Sequence, residues 1–191
     1  TGKECGFFIV IDRLFSTLEK QIDRWREEES AIHDGFMSRF SNEYKKKRKE
    51  QINERVKVAI QIAEAMEYLH GLDIVYRDLK PDNCGFDKNG TLKLFDFGLA
   101  KELKKGDRKE NGRYELTGNT GSRRYMAPEV AKDCAYDKSV DVYSFGILLW
   151  ELCTTEKPFF GYSSNKHMQR VVLGGERPPM DSQHVHDFPG G

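Results

Sequence analysis

Apolar residues run unbroken over residues 7–11, the length of a buried strand, and the polar stretch that follows places Ser16 and Thr17 to cap a short helix over 18–25. Ile52, Val56, Ala59, Ala63 and Met66 then recur at alternating spacings of four and three, with Ile60, Ile62 and Leu69 widening the stripe. That period predicts a long core helix, with Gly71 expected to end it as a left-handed stop. Beyond it, Asn89-Gly90 sits between the alternating segments 83–87 and 91–95, a strong hairpin signal. A second helix is expected over 139–153, apolar on nearly every side and so placed in the middle of a domain. No internal repeat is visible.

Polar stretches divide this pattern. In 26–50, thirteen of twenty-five residues are Asp, Glu, Lys or Arg, with a basic run from Tyr44 through Lys45-Lys46-Lys47-Arg48-Lys49, which predicts a solvated insertion. Within 101–115, ten of fifteen residues are charged, and this segment is expected to be mobile until something orders it. Along 191 residues the expectation is therefore one domain: a strand and first helix over 1–25, the charged insertion over 26–50, a main body over 51–179 and a tail over 180–191.

Composition narrows the setting. Lys plus Arg and Asp plus Glu balance at 31 each, so no overall field recruits nucleic acid or an acidic membrane. The four cysteines, Cys5, Cys84, Cys134 and Cys153, form no CxxC pair, which fits a reducing, cytoplasmic setting better than a zinc site or disulfide framework. The apolar stretch 140–153 is interrupted by Asp141, Ser144 and Glu151 and is too short for a bilayer span. The abrupt start, Thr1-Gly2-Lys3-Glu4 running straight into the strand, suggests an N-terminal portion preceding this piece.

Asp78, Lys80, Asn83 and Asp96 form the candidate chemistry. A hairpin centred between Asn89 and Gly90 would set Asn83 beside Asp96, giving two oxygen donors on one site. Mg²⁺ takes such ligands, completed by phosphates and water. Asp78, in a loop closed by Pro81, is near enough to face a second reactant as proton acceptor, and Lys80 adds positive charge where phosphoryl oxygens would gather.

The segment Tyr76-Arg77-Asp78-Leu79-Lys80-Pro81-Asp82-Asn83, then Asp96-Phe97-Gly98, then Ala127-Pro128-Glu129, resembles the catalytic loop, metal-binding triplet and activation-segment end of eukaryotic protein kinases. The resemblance covers about 7–179, less the insertion. It implies an α+β fold, a mostly helical C-terminal lobe with a small β-hairpin and one hinge strand, lacking the small lobe and the last helices. It implies ATP and Mg²⁺ as cofactors and a protein substrate. Asp78 would accept or orient the proton of the substrate hydroxyl, Lys80 would steady the phosphoryl group, and Asn83 and Asp96 would hold the metal.

Further roles follow from the same resemblance. Lys80 and the segment Gly121-Ser122-Arg123-Arg124-Tyr125 resemble the serine/threonine class, so Ser122 is expected to bond Asp78 and Lys80 and shape the substrate groove. Residues 125–130 and 141–146 resemble the tyrosine-kinase-like branch of that class. Asp141 is expected to support the catalytic-loop backbone from beneath. Arg77 is expected to capture a phosphate on the activation segment, with Thr117 and Thr120 the nearest hydroxyls. Ile11 stands at the gatekeeper position, and Asp12 to Leu14 would offer backbone groups to adenine.

Several positions depart from the family pattern. No glycine-rich loop, strand lysine or helix glutamate is present. Glu129 lacks the late arginine that usually pairs with it, a role not expected of Arg177. Tyr76 replaces a histidine, and Gly85 replaces a leucine that floors the adenine pocket, to be offset by Phe86 or a small-lobe residue. Trp25 and Trp150 read as packing residues, His184 and His186 as exposed histidines, and Arg177-Pro178-Pro179 as the stretch after the central helix. Two other readings stand beside the enzyme: a catalytically inactive pseudokinase or scaffold, and a nucleic-acid module using Lys45–Lys49, which lacks interleaved aromatics.

Overall fold

The computed structural model describes residues 13–33 and 42–180. In chain order its elements are β1 (Ser16–Thr17), α1 (Leu18–His33), α2 (Asn42–Gly71), β2 (Ile74–Val75), β3 (Cys84–Phe86), β4 (Leu92–Leu94), β5 (Lys101–Glu102), α3 (Pro128–Ala131), α4 (Ser139–Thr154) and α5 (Ser164–His167). A 3₁₀ turn covers Pro81–Asn83, and α5 runs on into a π-helical turn over Met168–Leu173. The architecture is the α+β arrangement expected: helices packed together, with small antiparallel sheets at one side. The residues assigned to the hinge strand, 7–11, and the histidines 184 and 186 lie outside the described residues.

The core forms where the apolar stripes meet. Val58, Ile62, Met66 and Leu69 of α2 pack with Ile147, Leu148 and Leu152 of α4 and with Leu18, Ile22 and Trp25 of α1. Each fully buried aliphatic side chain of this kind contributes about 1.5–3 kcal/mol through removal from water. A second cluster, with Val75, Leu103, Tyr114, Tyr136 and Val140, packs against the other side of the loop that follows β2.

Several expectations need correction. The first helix does not stop at Trp25 but continues to His33, because its charged C-terminal half is anchored to α2. Arg55 of α2 is 1% exposed, bonds Glu29 at 2.5 Å and sets its guanidinium against the Trp25 ring at 5.5 Å, while Gln51 donates to Glu28 at 2.6 Å. Gly71 ends α2 without a left-handed conformation; the Leu72 amide still bonds back to Tyr68, and the reversal comes at Asp73 with φ 58°. Lys138 makes that reversal possible, pairing with Asp73 at 2.6 Å and donating to the His70 carbonyl at 2.5 Å at the helix end.

The hairpin exists, but its register differs by one. Cys84 faces Leu94 and Phe86 faces Leu92, so the residue opposite Asn83 is Phe95, whose amide bonds the Asn83 carbonyl at 3.1 Å. The Asp87 carboxylate accepts from the amides of Asn89 and Thr91 at 2.8 and 3.0 Å, closing a three-residue loop with Gly90 left-handed at φ 77° in place of the two-residue turn expected. The charged stretch 101–115 likewise has defined structure: β5 pairs with β2, Leu103 bonds the Asp73 carbonyl at 2.7 Å, and buried Tyr114 exchanges backbone bonds with Tyr136.

Candidate active site

The loop leaving β2 is shaped by one buried carboxylate. Asp141, in the first turn of α4, is 0% exposed and accepts the amides of Tyr76 and Arg77 at 2.8 Å each, with His70 Nε2 also 2.8 Å away. Arg77 is left-handed at φ 70°, a conformation that costs a non-glycine residue about 1–2 kcal/mol and persists here because the carboxylate holds its amide. The loop is further locked by Gly121 at φ 98°, where a Cβ would come within 2.5 Å of the Arg77 carbonyl oxygen. Only glycine allows so close an approach.

Asp78 emerges from this strained turn with its carboxylate fully engaged. Its Oδ1 accepts the Ser122 amide at 2.8 Å; its Oδ2 pairs with Lys80 Nζ at 2.9 Å and accepts from Asn83 Nδ2 at 2.9 Å. Lys80 Nζ also donates to Ser122 Oγ at 2.7 Å, and Asn83 Nδ2 to the Asp78 carbonyl at 2.9 Å. Asp78, Lys80, Asn83 and Ser122 therefore form one hydrogen-bonded unit, with Asp78 and Asn83 both buried.

Asp96 reaches the same region by another route. It is exposed, left-handed at φ 58°, and its Oδ1 accepts from the Gly98 amide at 3.3 Å. It does not face Asn83 across the ladder, but follows directly after Phe95, which does. Tyr76, which the sequence marked only as a replacement for histidine, joins the two halves. Its hydroxyl donates to the Phe95 carbonyl and its ring meets Phe97 edge-on at 5.3 Å. Burial chiefly, then the charges of Cys84, Asp78, Asp96 and Asp141, hold the phenol far above its ordinary range, so both site carboxylates act on one hydroxyl.

The donor chemistry suits Mg²⁺. Asn83 turns its Nδ2 inward, leaving Oδ1 without a protein donor among the described residues, and Asp96 offers an exposed carboxylate. One amide oxygen and one carboxylate, completed by phosphate oxygens, fit a hard octahedral cation. No group of three or more His, Cys, Asp or Glu among the described residues forms an all-protein metal cage.

The remaining candidates are placed as follows. Leu14 Cδ1 and Phe95 Cε1 lie 2.8 and 3.3 Å from where a Gly85 Cβ would be, so these two side chains, and not Phe86, fill the space a larger residue would take. Ile11 and Asp12 lie outside the described residues. Arg77 Nε donates to the Leu99 carbonyl at 2.6 Å and Nη1 to Tyr136 Oη at 3.0 Å; Tyr136 in turn donates to the Thr117 carbonyl at 2.8 Å. Thr117 is exposed, and Thr120 Oγ1 donates to the Gly118 carbonyl at 3.0 Å. Glu129 is in no ion pair among the described residues, and its charge acts on Tyr143, over whose ring the Arg177 guanidinium lies at 5.0 Å. Trp25 and Trp150 are both buried, the latter donating to the Pro179 carbonyl at 2.7 Å.

Sequence reasoning missed a cleft of about 550 Å³ beside Lys80 and Ser122, bounded by Glu19, Asp82, Arg124 and Lys157. Lys157 bonds Glu19 at 2.8 Å and lies 3.7 Å from buried Glu151. The Asp82 carboxyl is held above its ordinary range by burial and by the neighbouring Glu19. These residues come from four separated segments, and no spacing rule joins them.

The Protein kinase domain model matches residues 18–185. The chain is 36% identical over 162 residues to a putative mitogen-activated protein kinase kinase kinase 7-like protein of Drosophila melanogaster, covering 81% of this chain and 37% of that protein. It is 43% identical over 135 residues to serine/threonine-protein kinase VIK of Arabidopsis thaliana, covering 67% and 30% respectively. It is 40% identical over 114 residues to cAMP-dependent protein kinase type 3 of Saccharomyces cerevisiae, covering 60% and 26%. The chain thus spans 26–37% of the length of these three curated relatives. With a family model over most of its length, the chain belongs to the protein kinase domain family.

Proposed function

We propose that this chain forms the catalytic lobe of a protein serine/threonine kinase, transferring the γ-phosphoryl group of ATP to a Ser or Thr hydroxyl of a protein substrate. The observation that carries this reading is the unit of Asp78, Lys80, Asn83 and Ser122, in which three residues bond the Asp78 carboxylate. The bond between the γ-phosphorus and its bridging oxygen breaks, a bond to the substrate oxygen forms, the hydroxyl proton passes to Asp78, and ADP leaves. Such transfer is loose in its transition state, so the protein contributes position and charge.

Lys80 compensates charge on the transferred oxygens, its Nζ bridging the Asp78 carboxylate and Ser122 Oγ. Asn83 and Asp96 would hold Mg²⁺, which neutralises phosphate charge when bound. Backbone groups of Asp12 to Leu14 would meet adenine, with Ile11 as gatekeeper and Leu14 supplying the apolar surface that Gly85 lacks. Asp141 positions the loop. Arg77, linked through Tyr136 to Thr117, would answer to phosphorylation of Thr117 or Thr120. Membership of the tyrosine-kinase-like branch, no nucleic-acid partner and a cytoplasmic location complete the reading; among the described residues no helix is long and apolar enough to cross a membrane.

The test is incubation of the purified protein with γ-labelled ATP, Mg²⁺ and a peptide library carrying Ser, Thr or Tyr acceptors. Label on Ser and Thr, lost on chelation, is expected. Nucleotide binding without transfer would favour the scaffold reading, and label confined to Tyr would overturn the substrate class.

A further inference from the structure

A cavity of about 490 Å³ opens where three separated segments meet: the turn after α2, the charged stretch that follows β5, and the start of α4. It falls within the ~300–1,000 Å³ range of small-molecule sites. None of its lining residues belongs to the cleft beside Lys80 and Ser122.

Its polar wall carries three cations, Lys105, Arg108 and Lys138, and two carboxylates, Asp73 and Asp137. Both carboxylates are already engaged. Asp73 pairs with Lys138 at 2.6 Å, and Asp137 Oδ1 accepts the Ser139 amide at 2.8 Å. Lys138 chiefly, with Lys105 adding less, holds the Asp73 carboxyl below its ordinary range; against burial, Ser139 and then Arg113 and Arg108 do the same for Asp137. Three cations against two ionised carboxylates leave the cavity positive. Lys105 and Arg108 are exposed and stand in no ion pair among the described residues.

The chemistry of that surplus is specific. Arg108 Nε donates to the Gly112 carbonyl at 3.2 Å, and a Gly112 Cβ would lie 3.1 Å from Arg108 Nη2, so the turn holds the guanidinium in place. Four of its five N–H donors have no acceptor among the described residues. A fixed guanidinium fork beside an ammonium suits the several oxygens and double charge of a phosphate group. The rest of the wall includes Leu103 and Tyr114, apolar surface on which a carbon skeleton can lie. We infer that this cavity binds a small organic phosphate, its phosphate group held by Lys105 and Arg108 and its carbon skeleton resting on Leu103 and Tyr114.

Such a ligand would fasten the 103–114 stretch. The Leu103 amide already bonds the Asp73 carbonyl at 2.7 Å, and Lys138 ties Asp73 to the start of α4. A phosphate gripped by Lys105 and Arg108 adds a further tie from the same stretch. The site goes beyond the kinase reading and stands apart from it, since binding needs neither ATP nor an acceptor hydroxyl. A phosphorylated side chain of another protein presents the same group, so the test carries both sources.

The experiment is calorimetric titration of the purified protein, without nucleotide, with inorganic phosphate, phenyl phosphate and a phosphoserine peptide. Phenyl phosphate is expected to bind on the order of tenfold more tightly than inorganic phosphate, through its ring. Lys105→Ala and Arg108→Ala should each weaken it on the order of 10- to 100-fold, the range that hydrogen bonds to charged groups command. Lys104→Ala removes the same charge from an exposed neighbour outside the cavity and should leave affinity within about twofold. Hydrogen exchange of the 103–114 amides should slow when phenyl phosphate is bound. A phosphoserine peptide binding far more tightly than phenyl phosphate would overturn the small-molecule source. No binding of any probe at millimolar concentration, or equal weakening by Lys104→Ala and Lys105→Ala, would overturn the site itself.

Discussion

Removing the Asp141 carboxylate should unfasten the whole active-site loop, and the size of the effect can be worked from its bonds. The carboxylate accepts two backbone amides and faces His70 Nε2, all at 2.8 Å, with no solvent access to replace it. An orphaned buried donor costs about 1–3 kcal/mol, so Asp141→Ala, which strands both amides, should cost about 4 kcal/mol. Asp141→Asn keeps one acceptor oxygen but turns an amide donor toward the second N–H, and should cost about 2 kcal/mol. Against a total stability of about 5–15 kcal/mol either change is large. Arg77 at φ 70° would then be free to leave the left-handed region, carrying Asp78 with it. A shift of about 1 Å can cost on the order of a hundredfold in rate, so phosphoryl transfer should fall further than the folded fraction. Urea denaturation of native, Asn and Ala proteins, with transfer measured on each, gives both numbers. An Ala variant within about 0.5 kcal/mol of native that still transfers phosphate would refute the clamp.

Other outcomes follow from the same geometry. Gly85→Ala should lower stability by about 1–3 kcal/mol by thermal or chemical denaturation, because its Cβ would sit 2.8 Å from Leu14 Cδ1 and 3.2 Å from the Ser16 carbonyl; an unchanged midpoint would contradict the packing. Burial holds the Glu151 carboxyl above its ordinary range despite the Tyr125 hydroxyl at 2.5 Å, so the folded state keeps that proton to higher pH than the unfolded state does. Its contribution is fully present below the ordinary carboxylate range and is lost as pH rises through the raised value. Glu151→Gln should therefore flatten part of the fall in stability as pH rises above the ordinary carboxylate range, and parallel native and variant curves would count against this. Replacing Thr117 and Thr120 together by Ala should lower kinase activity, and full activity in the double variant would remove the proposed phosphate switch.

The helices and the hairpin were legible because they rest on local rules. The apolar stripe of α2 and the apolar circumference of α4 announced buried helices, and Asn89-Gly90 announced a reversal. The register was missed because the Asp87 carboxylate, a side-chain acceptor, claims the amides of Asn89 and Thr91 and adds a residue to the loop. The end of α2 at Gly71 was legible, but the left-handed reversal falls at Asp73 because Lys138, far along the chain, holds Asp73 and the His70 carbonyl. The continuation of α1 depends on Arg55 and Gln51 reaching back from α2, which composition alone reads as solvent-facing charge. The motif residues around Asp78 were named at once, since their spacing is short. The Glu19–Lys157–Glu151 cluster and the cavity beside Lys105, Arg108 and Lys138 went unseen, since they join segments that only folding brings together.

The account stands on Asp78 as the carboxylate that receives the substrate proton, and Asp78→Asn tests it directly. The substitution preserves shape and keeps an acceptor oxygen for the Ser122 amide, while turning an amide donor toward Lys80 and Asn83 and removing the basic oxygen. In a single-turnover measurement with Mg²⁺ and γ-labelled ATP, the rate of label transfer to a Ser-acceptor peptide should drop by about 10²- to 10⁴-fold while nucleotide affinity stays near native. Transfer at the native rate by the Asn variant would contradict the central claim.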